Sequence, residues 1–381
     1  MSDPNTSLVQ REERSLAKVS RRVMRRMAHA LAVVPVLGQA ITSRLLIPRH
    51  SFDETHVVPT DDGANVALHR YLPRGPRRGN PIILCHGIAC NRHFWDISPE
   101  RSFAQALASA GRDVWVLEMR GHGQSHRVPA LEPWKAVKVR WDFDHYVHHD
   151  LPAAINFVRD RGSSKKVDWI GHSMGGMVIY AHLGTTAGDD VENLITIGSP
   201  TFIDNRFWAW KLAGALSGPA SLIPHFPVRL GAWAASGAVL ALHPFVPNPI
   251  YSKENMSARD AAMLFHNVLD DISGGEVSLG IQFIKERGFR SRDGKVSYAE
   301  QLRTIRHPAL LLAGSRDFLV MPRDVRAAFD RISSEDKTMH ILGKKQGYTH
   351  DYGHADLVLG RFVKTEVVPI VLDWLEERTR A

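Results

Sequence analysis

The chain contains 381 residues, of which 44% are hydrophobic, enough to bury the core of one large domain with an insertion or of two domains. Its formal net charge is +8, but residues 1–50 alone hold nine Lys or Arg against three Asp or Glu. The rest of the chain is close to neutral, which argues against a nucleic-acid-binding body and assigns the basic character to an N-terminal arm. Two cysteines, Cys85 and Cys90, exclude a disulfide framework; we expect free thiols, with a local bridge or redox-sensitive pair as the alternative.

The N-terminal arm, residues 1–50, contains a candidate amphipathic helix over residues 11–34. Its apolar positions recur every three or four residues, and basic side chains fill most of the other face. Such a helix suits an anionic membrane surface, and a solvated helix packed on the body is the equal alternative. A third interpretation is a twin-arginine-like export signal around Ser20-Arg21-Arg22. Because no apolar run reaches the length of a transmembrane helix, we expect a cytoplasmic or peripheral membrane protein.

The body begins with a predicted β-hairpin and continues as alternating strands and helices. Strands over Glu54–Pro59 and Val66–Leu72 flank the turn Thr60-Asp61-Asp62-Gly63. The strands predicted after this hairpin are Pro81–Cys85, Asp113–Glu118, Val167–Ile170, Leu194–Ile197, Ala309–Ala313 and Thr338–Leu342. The helices are Phe103–Ala110, Tyr146–Arg159, Met174–Leu183, Arg323–Arg331 and Val367–Arg378. This order predicts an α/β fold, a mostly parallel twisted sheet with helices on both faces.

The alternation stops between residues 202 and 307, which we interpret as an inserted, largely helical cap. The core would then comprise residues 51–201 and 308–381. Residues 205–253 contain no Asp or Glu but many aromatic residues and prolines, which break the segment into short helices as in a lid. Some of these aromatic side chains must pack the cap on the body. The ones that we expect to contact an apolar substrate are Trp208, Trp210, Phe226 and Trp233.

One stretch carries a candidate nucleophile. Gly171-His172-Ser173-Met174-Gly175 follows a short apolar strand and precedes an apolar helix. In this context Gly-x-Ser-x-Gly indicates a sharp strand-to-helix turn that exposes the serine hydroxyl, and the glycines avoid a Cβ clash as the chain reverses. The alternative, an ordinary glycine-rich turn, gains less support because both flanking elements are present.

A serine nucleophile needs a base, and the base needs an acid that orients it. Both are expected at carboxyl ends of strands, where open α/β sheets place their ligands. His354 and His350 follow the last strand, and we prefer His354 because an apolar helix-like run follows it. Asp317 comes directly after the strand at 309–313, whereas Asp324 is far enough along to lie in or cap the next helix. We therefore predict Ser173, Asp317 and His354 as a triad, in the chain order of this fold.

Two backbone N–H groups are predicted to hold the oxyanion. One belongs to Met174, the residue after the serine, and the other to Ile88 in the loop His86-Gly87-Ile88. Gly87 lets that loop approach closely. We expect His86 and His172 to pack and hydrogen-bond beside the site. The histidines are scattered without zinc spacing, and the predicted mechanism needs no metal or organic cofactor.

Several of these motifs together resemble the α/β-hydrolase superfamily. The motifs that carry this resemblance are Thr60-Asp61-Asp62-Gly63, His86-Gly87-Ile88, Met119-Arg120-Gly121-His122-Gly123-Gln124-Ser125 and Gly171-His172-Ser173-Met174-Gly175. Those that more narrowly resemble the acid/gastric lipase branch and its bacterial relatives are Trp141-Asp142-Phe143, Asp150-Leu151-Pro152-Ala153 and Gly353-His354-Ala355-Asp356-Leu357. The resemblance implies ester hydrolysis through an acyl-enzyme formed on Ser173.

The cap departs from the animal lipases, because it is shorter, has no cysteine and is richer in Trp and Pro, so triglyceride specificity is not implied. The His354 motif also resembles polyhydroxyalkanoate synthases, which carry a cysteine where this chain has Ser173. We therefore predict a serine carboxylic-ester hydrolase for apolar acyl esters, with a small-molecule or lipid ester as partner and a membrane contact through residues 11–34 and the cap. An acyltransferase or polyester depolymerase on the same triad is the alternative, and a non-catalytic lipid-binding protein is a weaker one.

Overall fold

The computed structural model describes residues 46, 51–125, 141–162, 164–185, 188, 190–202, 225–243, 245, 248–286 and 288–379. The helix predicted over residues 11–34 and the side chains of Trp208 and Trp210 lie outside these residues. The strands, helices and site residues all belong to the described part of the unit that spans residues 48–381.

The strands of the large sheet are β1 (Glu54–Pro59), β2 (Asn65–Tyr71), β3 (Ile82–Cys85), β4 (Val114–Glu118), β5 (Val167–His172), β6 (Val191–Ile197), β9 (Ala309–Gly314) and β10 (Lys337–Leu342). Their order across the sheet is β1-β2-β4-β3-β5-β6-β9-β10. Only the pairs β1–β2 and β2–β4 are antiparallel, and the other neighbours are parallel. The predicted α/β fold with a mostly parallel sheet is confirmed. Two short strands, β7 (His225–Phe226) and β8 (Ile272–Ser273), pair separately.

The helices of the described residues are α1 (Phe103–Ser109), α2 (Phe143–His145), α3 (Leu151–Arg161), α4 (Met174–Thr185), α5 (Val228–Leu242), α6 (Ala258–Met263), α7 (Gly274–Glu286), α8 (Tyr298–Gln301), α9 (Pro322–Arg331), α10 (Asp356–Leu359) and α11 (Val368–Thr379). A π-helical turn, Tyr146–Asp150, joins α2 to α3, so the helix predicted over Tyr146–Arg159 begins in this wider form. Pro152 in the first turn of α3 has no N–H to donate, which removes one ordinary helical bond at this junction. None of these helices is long and apolar enough to cross a membrane.

The middle of the sheet is covered on both faces. Every residue of β3, β4, β5 and β9 is buried, as expected for strands with helices on both sides. Because β3, β5, β6, β9 and β10 are parallel, their carboxyl ends share one edge of the sheet. Trp169 of β5 also packs into this core, and its indole N–H donates to the carbonyl of Gly175 at 3.0 Å. The sheet therefore brings the loops after several distant strands to a single edge.

The chain between β6 and β9 leaves the sheet and returns to the neighbouring position, since these two strands pair directly in parallel. Within its described part, this chain adds no strand to the large sheet and contains α5, α6, α7 and α8. We keep the name cap for residues 202–307. Its bounds stay a prediction, as do those of the N-terminal arm.

A buried ion-pair network fixes one corner of the core. Arg120, directly after β4, donates to both carboxylate oxygens of Asp150 at 2.7 and 2.9 Å, through Nε and its backbone N–H. Its two terminal nitrogens donate to Asp62 in the hairpin turn at 2.5 and 2.9 Å. Asp150 is fully buried, and burial raises its pKa to about 6 although Arg120 opposes that shift. Arg120 therefore ties the hairpin, β4 and the start of α3 together.

Replacing Arg120 with leucine should lower the free energy of unfolding by about 3 kcal/mol near neutral pH, because a buried carboxylate loses its cation. Without Arg120, the folded-state pKa of Asp150 lies further above its unfolded value of about 3.9. The loss is then largest above that folded pKa and shrinks as the pH falls through it, because the carboxyl group can take up a proton. Urea unfolding at about pH 5 and pH 8 measures both effects.

The matched control is Arg159→Leu. Arg159 pairs with Asp190 at the surface, where the side chains are 28% and 43% exposed, so its replacement should cost less than about 1 kcal/mol. Equal losses for the two arginines, or a loss at Arg120 that is independent of pH, would contradict this account of the network.

Candidate active site

Ser173 lies in a sharp turn between β5 and α4. Its φ of +53° is in the left-handed region, which a serine enters only when its surroundings enforce it. The backbone N–H of Ser173 donates to the carbonyl of Ile197 in β6 at 2.9 Å. The Ser173 carbonyl accepts the N–H of Gly176 at 3.0 Å, which begins α4 immediately. The turn is thus held by a neighbouring strand on one side and a helix on the other.

Close approach of backbone explains the two flanking glycines. A Cβ on Gly171 would lie 2.3 Å from the carbonyl oxygen of Gly175, within the turn itself. A Cβ on Gly175 would lie 2.3 Å from the carbonyl oxygen of Cys85 at the end of β3. Both distances are far inside van der Waals contact with backbone that cannot move aside, so these positions require glycine.

The candidate base and its orienting acid are in direct contact. Nδ1 of His354 lies 2.7 Å from Oδ2 of Asp317, and both side chains are buried. The other Asp317 oxygen accepts the N–H groups of Leu319 and Val320 at 2.9 and 2.8 Å, which fixes the carboxylate. With Nδ1–H donated to Asp317, Nε2 of His354 is the nitrogen left to accept a proton.

The two rival residues take other roles. His350 contacts Glu254, with 3.3 Å between Nδ1 and Oε2, away from Asp317. Asp324 lies at the start of α9, where its carboxylate accepts the Met321 N–H at 2.9 Å as a helix cap. The structure therefore pairs the preferred histidine with the preferred aspartate.

Ser173 and His354 line one cavity of about 270 Å³. Its walls are almost wholly apolar, and their nonpolar side chains are those of Ile88, Cys90, Phe94, Met174, Met177, Pro200, Ile250, Leu264, Leu269, Leu279, Leu319, Val320 and Ala355. The charged residue Glu276 also lines the cavity. The core loops supply some of these residues and the cap supplies Ile250, Leu264, Leu269 and Leu279. Both predicted oxyanion residues, Ile88 and Met174, are among them.

The aromatic residues expected at the substrate site are not brought to this cavity where the structure describes them. Phe226 and Trp233 are absent from its described walls, which are mostly aliphatic and methionine side chains. Trp233 lies on α5 with 39% of its surface exposed. The composition of the cap indicated an apolar lining, but it could not indicate which face of each cap helix turns inward.

Gly198 belongs to the site although the sequence analysis did not single it out. It follows β6 with a φ of +57°, and its N–H donates to the carbonyl of Leu312 in β9 at 2.8 Å. A Cβ here would lie 3.2 Å from Nδ1 of His354 and 3.5 Å from Oδ2 of Asp317. Its position in the sequence could have indicated this role, because it directly follows a predicted parallel strand. The carboxyl ends of such strands form the edge that carries the other site residues.

His172 supports His354 from the side. Its ring lies between those of Phe94 and His354, with centroid distances of 4.4 and 4.5 Å. Burial, and secondarily the charge of a protonated His354, lower the pKa of His172 well below its usual value. The ring is therefore neutral, and its Nε2–H donates to the carbonyl of His354 at 3.1 Å. The predicted packing role thus includes a hydrogen bond to the loop that carries the candidate base.

His86 supports the loop that carries Ile88. Burial lowers the pKa of His86 to about 4, so its ring is neutral. Its Nε2 accepts the Met119 N–H at 3.3 Å, which leaves Nδ1–H to donate to the carbonyl of Gly87 at 2.8 Å. A Cβ on Gly87 would lie 3.0 Å from that of Ser173, so this loop passes directly beside the serine.

The two cysteines and one cluster of charged side chains are the other groups that could carry chemistry. Cys85 and Cys90 are free and buried, and burial raises the pKa of the Cys90 thiol to about 12, so it is not a reactive thiolate. In the described chain, one grouping of three side chains could hold a metal ion: Asp61, Asp62 and His149, at the hairpin turn. Asp62 is already paired with Arg120 and His149 with Asp61, as in an ordinary charged surface.

A serine at a strained turn and a histidine paired with a buried aspartate line the same cavity as Ile88 and Met174. Groups of these kinds can together carry out acyl transfer through a covalent intermediate. Comparisons with known proteins identify the fold family. Residues 80–346 match the family model of the alpha/beta hydrolase fold.

The relatives with similar sequences include several lipases. The lipase lipl-5 of Caenorhabditis elegans is 32% identical over 147 residues, which cover 36% of each chain, so the match spans about a third of that relative. Gastric triacylglycerol lipase of Bos taurus is 28% identical over 46% of this chain and 45% of its own. A probable lipase of Schizosaccharomyces pombe is 25% identical over 85% of this chain and 74% of its own.

Solved structures share the fold at low identity. An esterase from Thermogutta terrifontis has a TM-score of 0.57 at 16% identity, over 85% of this chain and 99% of its own. A bacterial membrane phospholipase A has a TM-score of 0.55 at 16% identity, over 98% and 99%.

Replacing Gly198 with alanine should slow the labelling of Ser173 by a fluorophosphonate probe roughly tenfold to hundredfold, because the new methyl group displaces the His354 ring. The matched control is Gly294→Ala. Gly294 has a φ of +72° and nothing within 4 Å of an added Cβ, so it incurs similar backbone strain without touching the site. Equal labelling rates for the two variants would show that Gly198 has no influence on His354.

Proposed function

The chain belongs to the α/β-hydrolase fold family, and from that premise we propose that it is a serine carboxylic-ester hydrolase for apolar acyl esters. The single observation that carries this proposal is that Ser173 and the paired His354 open into one apolar cavity. Relatives named as lipases and structural neighbours named as esterases add support. The serine chemistry and the choice of substrate are our inferences from the geometry.

In the acylation half of the reaction, Nε2 of His354 removes the hydroxyl proton as Oγ of Ser173 attacks the ester carbonyl carbon. The N–H groups of Ile88 and Met174 stabilise the resulting oxyanion. Asp317 holds the imidazole in its reactive tautomer and stabilises the imidazolium. The tetrahedral intermediate then collapses, the C–O bond to the alcohol breaks, and His354 returns the proton to the leaving alkoxide.

Deacylation repeats these steps with water. His354 takes a proton from the water as its oxygen attacks the acyl-enzyme, and the oxyanion again lies against the two N–H groups. Collapse releases the carboxylic acid and restores the Ser173 hydroxyl. A bound alcohol in place of water would give transfer rather than hydrolysis, so the product formed in the presence of an added alcohol distinguishes the two outcomes.

The cavity favours an uncharged acyl chain. Beyond the site itself, the charged residue among its described walls is Glu276, which is already paired with His122, so a charged acyl group would lose hydration without a partner. Its volume of about 270 Å³ is just below the range of about 300–1,000 Å³ that is typical of small-molecule sites. We therefore propose that it holds a single acyl chain and not a whole triacylglycerol.

We predict that Ser173→Ala lowers the turnover of p-nitrophenyl butyrate by at least about 10⁴-fold, because both the nucleophile and the covalent intermediate are lost. His354→Ala should cause a similar loss. Spectrophotometric turnover with equal concentrations of folded protein measures the effect, and loss of fluorophosphonate labelling at Ser173 should accompany it.

Two control variants lie outside the proposed machinery. Ser278 is an exposed serine on α7, and His350 is the rival histidine paired with Glu254. Ser278→Ala and His350→Ala should both keep wild-type turnover. Turnover that survives in Ser173→Ala, or that depends on His350 and not on His354, would overturn the proposed mechanism.

We also propose that the cap contacts a lipid surface. Helix α5 carries one charged residue, Arg229, and turns several large apolar side chains to solvent. Leu230 is 66% exposed, Leu242 is 51% exposed and Trp233 is 39% exposed, although the Trp233 ring also lies 6.3 Å from that of His266. Exposed apolar groups grouped on one helix are typical of a membrane or partner contact. The inner side of α5 packs on the segment that contains Leu264, a residue of the cavity wall.

The double variant Leu230→Ser/Trp233→Ser should bind neutral phosphatidylcholine vesicles at least about tenfold more weakly, because it loses apolar area that would enter the lipid. Neutral vesicles remove the attraction of the basic N-terminal arm to anionic lipid. The control is Val57→Ser, which removes a side chain that is 59% exposed on β1. Vesicle sedimentation measures binding, and equal retention by all three proteins would contradict this contact.

A further inference from the structure

Ile88, the proposed oxyanion donor, lies between two backbone carbonyl groups that are each held by a hydrogen bond. The Gly87 carbonyl before it accepts Nδ1–H of His86 at 2.8 Å. The Ala89 carbonyl after it accepts the backbone N–H of Asp270 at 2.8 Å. The first bond comes from the core and the second from the cap, so both parts of the protein hold the loop.

The bond on the core side fixes one peptide plane. In a trans peptide the C=O and the following N–H point in opposite directions. Holding the Gly87 carbonyl toward His86 therefore orients the Ile88 N–H relative to the loop, but it does not hold the loop itself in place. This bond alone leaves the far side of Ile88 free to rotate about its own φ and ψ.

The cap holds that far side through the segment 267–270. Ala89 has a φ of +55°, a conformation that an alanine keeps only where its surroundings enforce it. Besides the bond from Asp270 to Ala89, the N–H of Asn91 donates to the Val268 carbonyl at 3.2 Å. The Asn91 side-chain amide donates to the Asn267 carbonyl at 2.9 Å. The loop and the cap segment thus pair like two short antiparallel strands.

The side chain of Asp270 anchors this cap segment to the core. Its Oδ2 accepts the backbone N–H of Gly123 at 2.7 Å, and its Oδ1 accepts the N–H of Asp271 at 3.0 Å. Asp270 is buried, and Gly123 belongs to a rigid turn in which a Cβ would overlap the carboxylate of Glu118. Asp270 therefore connects a fixed point of the core to the loop that carries Ile88.

We propose that Asp270 is a positioning residue for the oxyanion site: its side chain holds the cap segment 267–270 against the loop 87–91, and the cap thereby keeps this loop, and with it the Ile88 N–H, in place beside Ser173. Asp270 is not among the residues that line the cavity, and it acts through Ala89. This inference rests on the proposed function, because an oxyanion forms only if Ser173 attacks a carbonyl. It makes the cap a part of the reaction centre as well as a cover for the acyl chain.

The position of Ile88 N–H matters most in the transition state, when negative charge develops on the substrate oxygen. Losing one oxyanion donor outright typically costs about 10²–10³ in kcat. A donor that is present but misdirected should cost less. Ground-state binding, which depends on the apolar walls, should change little, and this separates a positioning role from general damage to the pocket.

The test compares Asp270→Ala, Asp270→Asn and the control Asp271→Ala with the wild type. Asp271 is the next residue and accepts the Arg229 N–H at 3.0 Å, outside the loop contacts. Three quantities are measured: kcat and KM for p-nitrophenyl butyrate, and inhibition by an alkyl trifluoromethyl ketone. That inhibitor adds to a serine and forms a tetrahedral oxyanion, so its affinity reports on the oxyanion site.

We expect Asp270→Ala to lower kcat roughly tenfold to hundredfold, with KM within about threefold of the wild type and inhibitor affinity reduced by the same factor as kcat/KM. Asp270→Asn keeps the shape and one acceptor, so a smaller loss of about threefold with the same pattern is expected. Asp271→Ala should match the wild type in all three quantities.

A folded Asp270→Ala variant with wild-type kcat would overturn the proposal, and so would a loss in which inhibitor affinity is unchanged. If Asp270→Ala does not fold, the Asn variant decides: its loss in kcat and inhibitor affinity supports the role, and identity with the wild type overturns it. A wild-type protein that neither hydrolyses esters nor reacts with the ketone would instead overturn the proposed function, and this role with it.

Discussion

The rest of the site depends on the backbone turn at Ser173, where three segments meet within contact distance. The turn is tight because Gly175 lies against the carbonyl of Cys85 in β3, while the Ser173 N–H is bonded to Ile197 in β6. Any Cβ at Gly175 would force β3 and the helix after the turn apart. The strain of a positive φ at Ser173 is therefore carried by the parallel sheet, whose neighbouring strands cannot yield separately. The sheet is in this sense the support that points the serine hydroxyl into the cavity.

Contacts with three neighbouring residues restrict the rotation of the His354 side chain and the movement of its backbone. Asp317 takes its Nδ1, Gly198 leaves just the space that its ring needs, and His172 bonds to its backbone carbonyl. The next support is Asp356, a fully buried carboxylate that accepts the Gly353 N–H at 3.0 Å. Burial raises the pKa of Asp356 to about 6, so the protein tolerates an unfavourable buried charge in order to fix this loop. Preorganisation of this kind lowers the reorganisation that the reaction would otherwise require.

The parts of this site that the sequence could predict are those fixed by local pattern. Alternating apolar strands and helices indicated the sheet, and the residues directly after its strands, Asp317 among them, could be assigned because parallel strands share one edge. Gly198 escaped notice because a lone glycine after a strand has many explanations until the neighbouring loops are placed. Phe226 and Trp233 were assigned to the substrate from composition, which does not determine which side chains of the cap face inward. Asp270 could not be predicted, since its partners Ala89 and Gly123 are more than a hundred residues away in the chain.

The cap contacts both the loop that carries the proposed base, His354, and the loop that carries the proposed oxyanion donor, Ile88. These contacts limit how the cap can move. Near the base, Asp356 accepts the Ser252 N–H at 3.0 Å, and the Ala355 N–H donates to the Ile250 carbonyl at 2.8 Å. At the loop 87–91, which carries Ile88, the segment 267–270 makes its backbone hydrogen bonds to Ala89 and Asn91. A lid that swung away as a rigid body would break both sets and loosen the base and the oxyanion donor together. Bonds of this set such as Ser252 N–H to Asp356 and Asn91 to Asn267 are partly buried, so breaking them would leave partly shielded polar groups unpaired, at a cost of up to about 1–3 kcal/mol each. Substrate entry is therefore better served by movement of the outer helix α5, while residues 250–255 and 267–270 stay on the core.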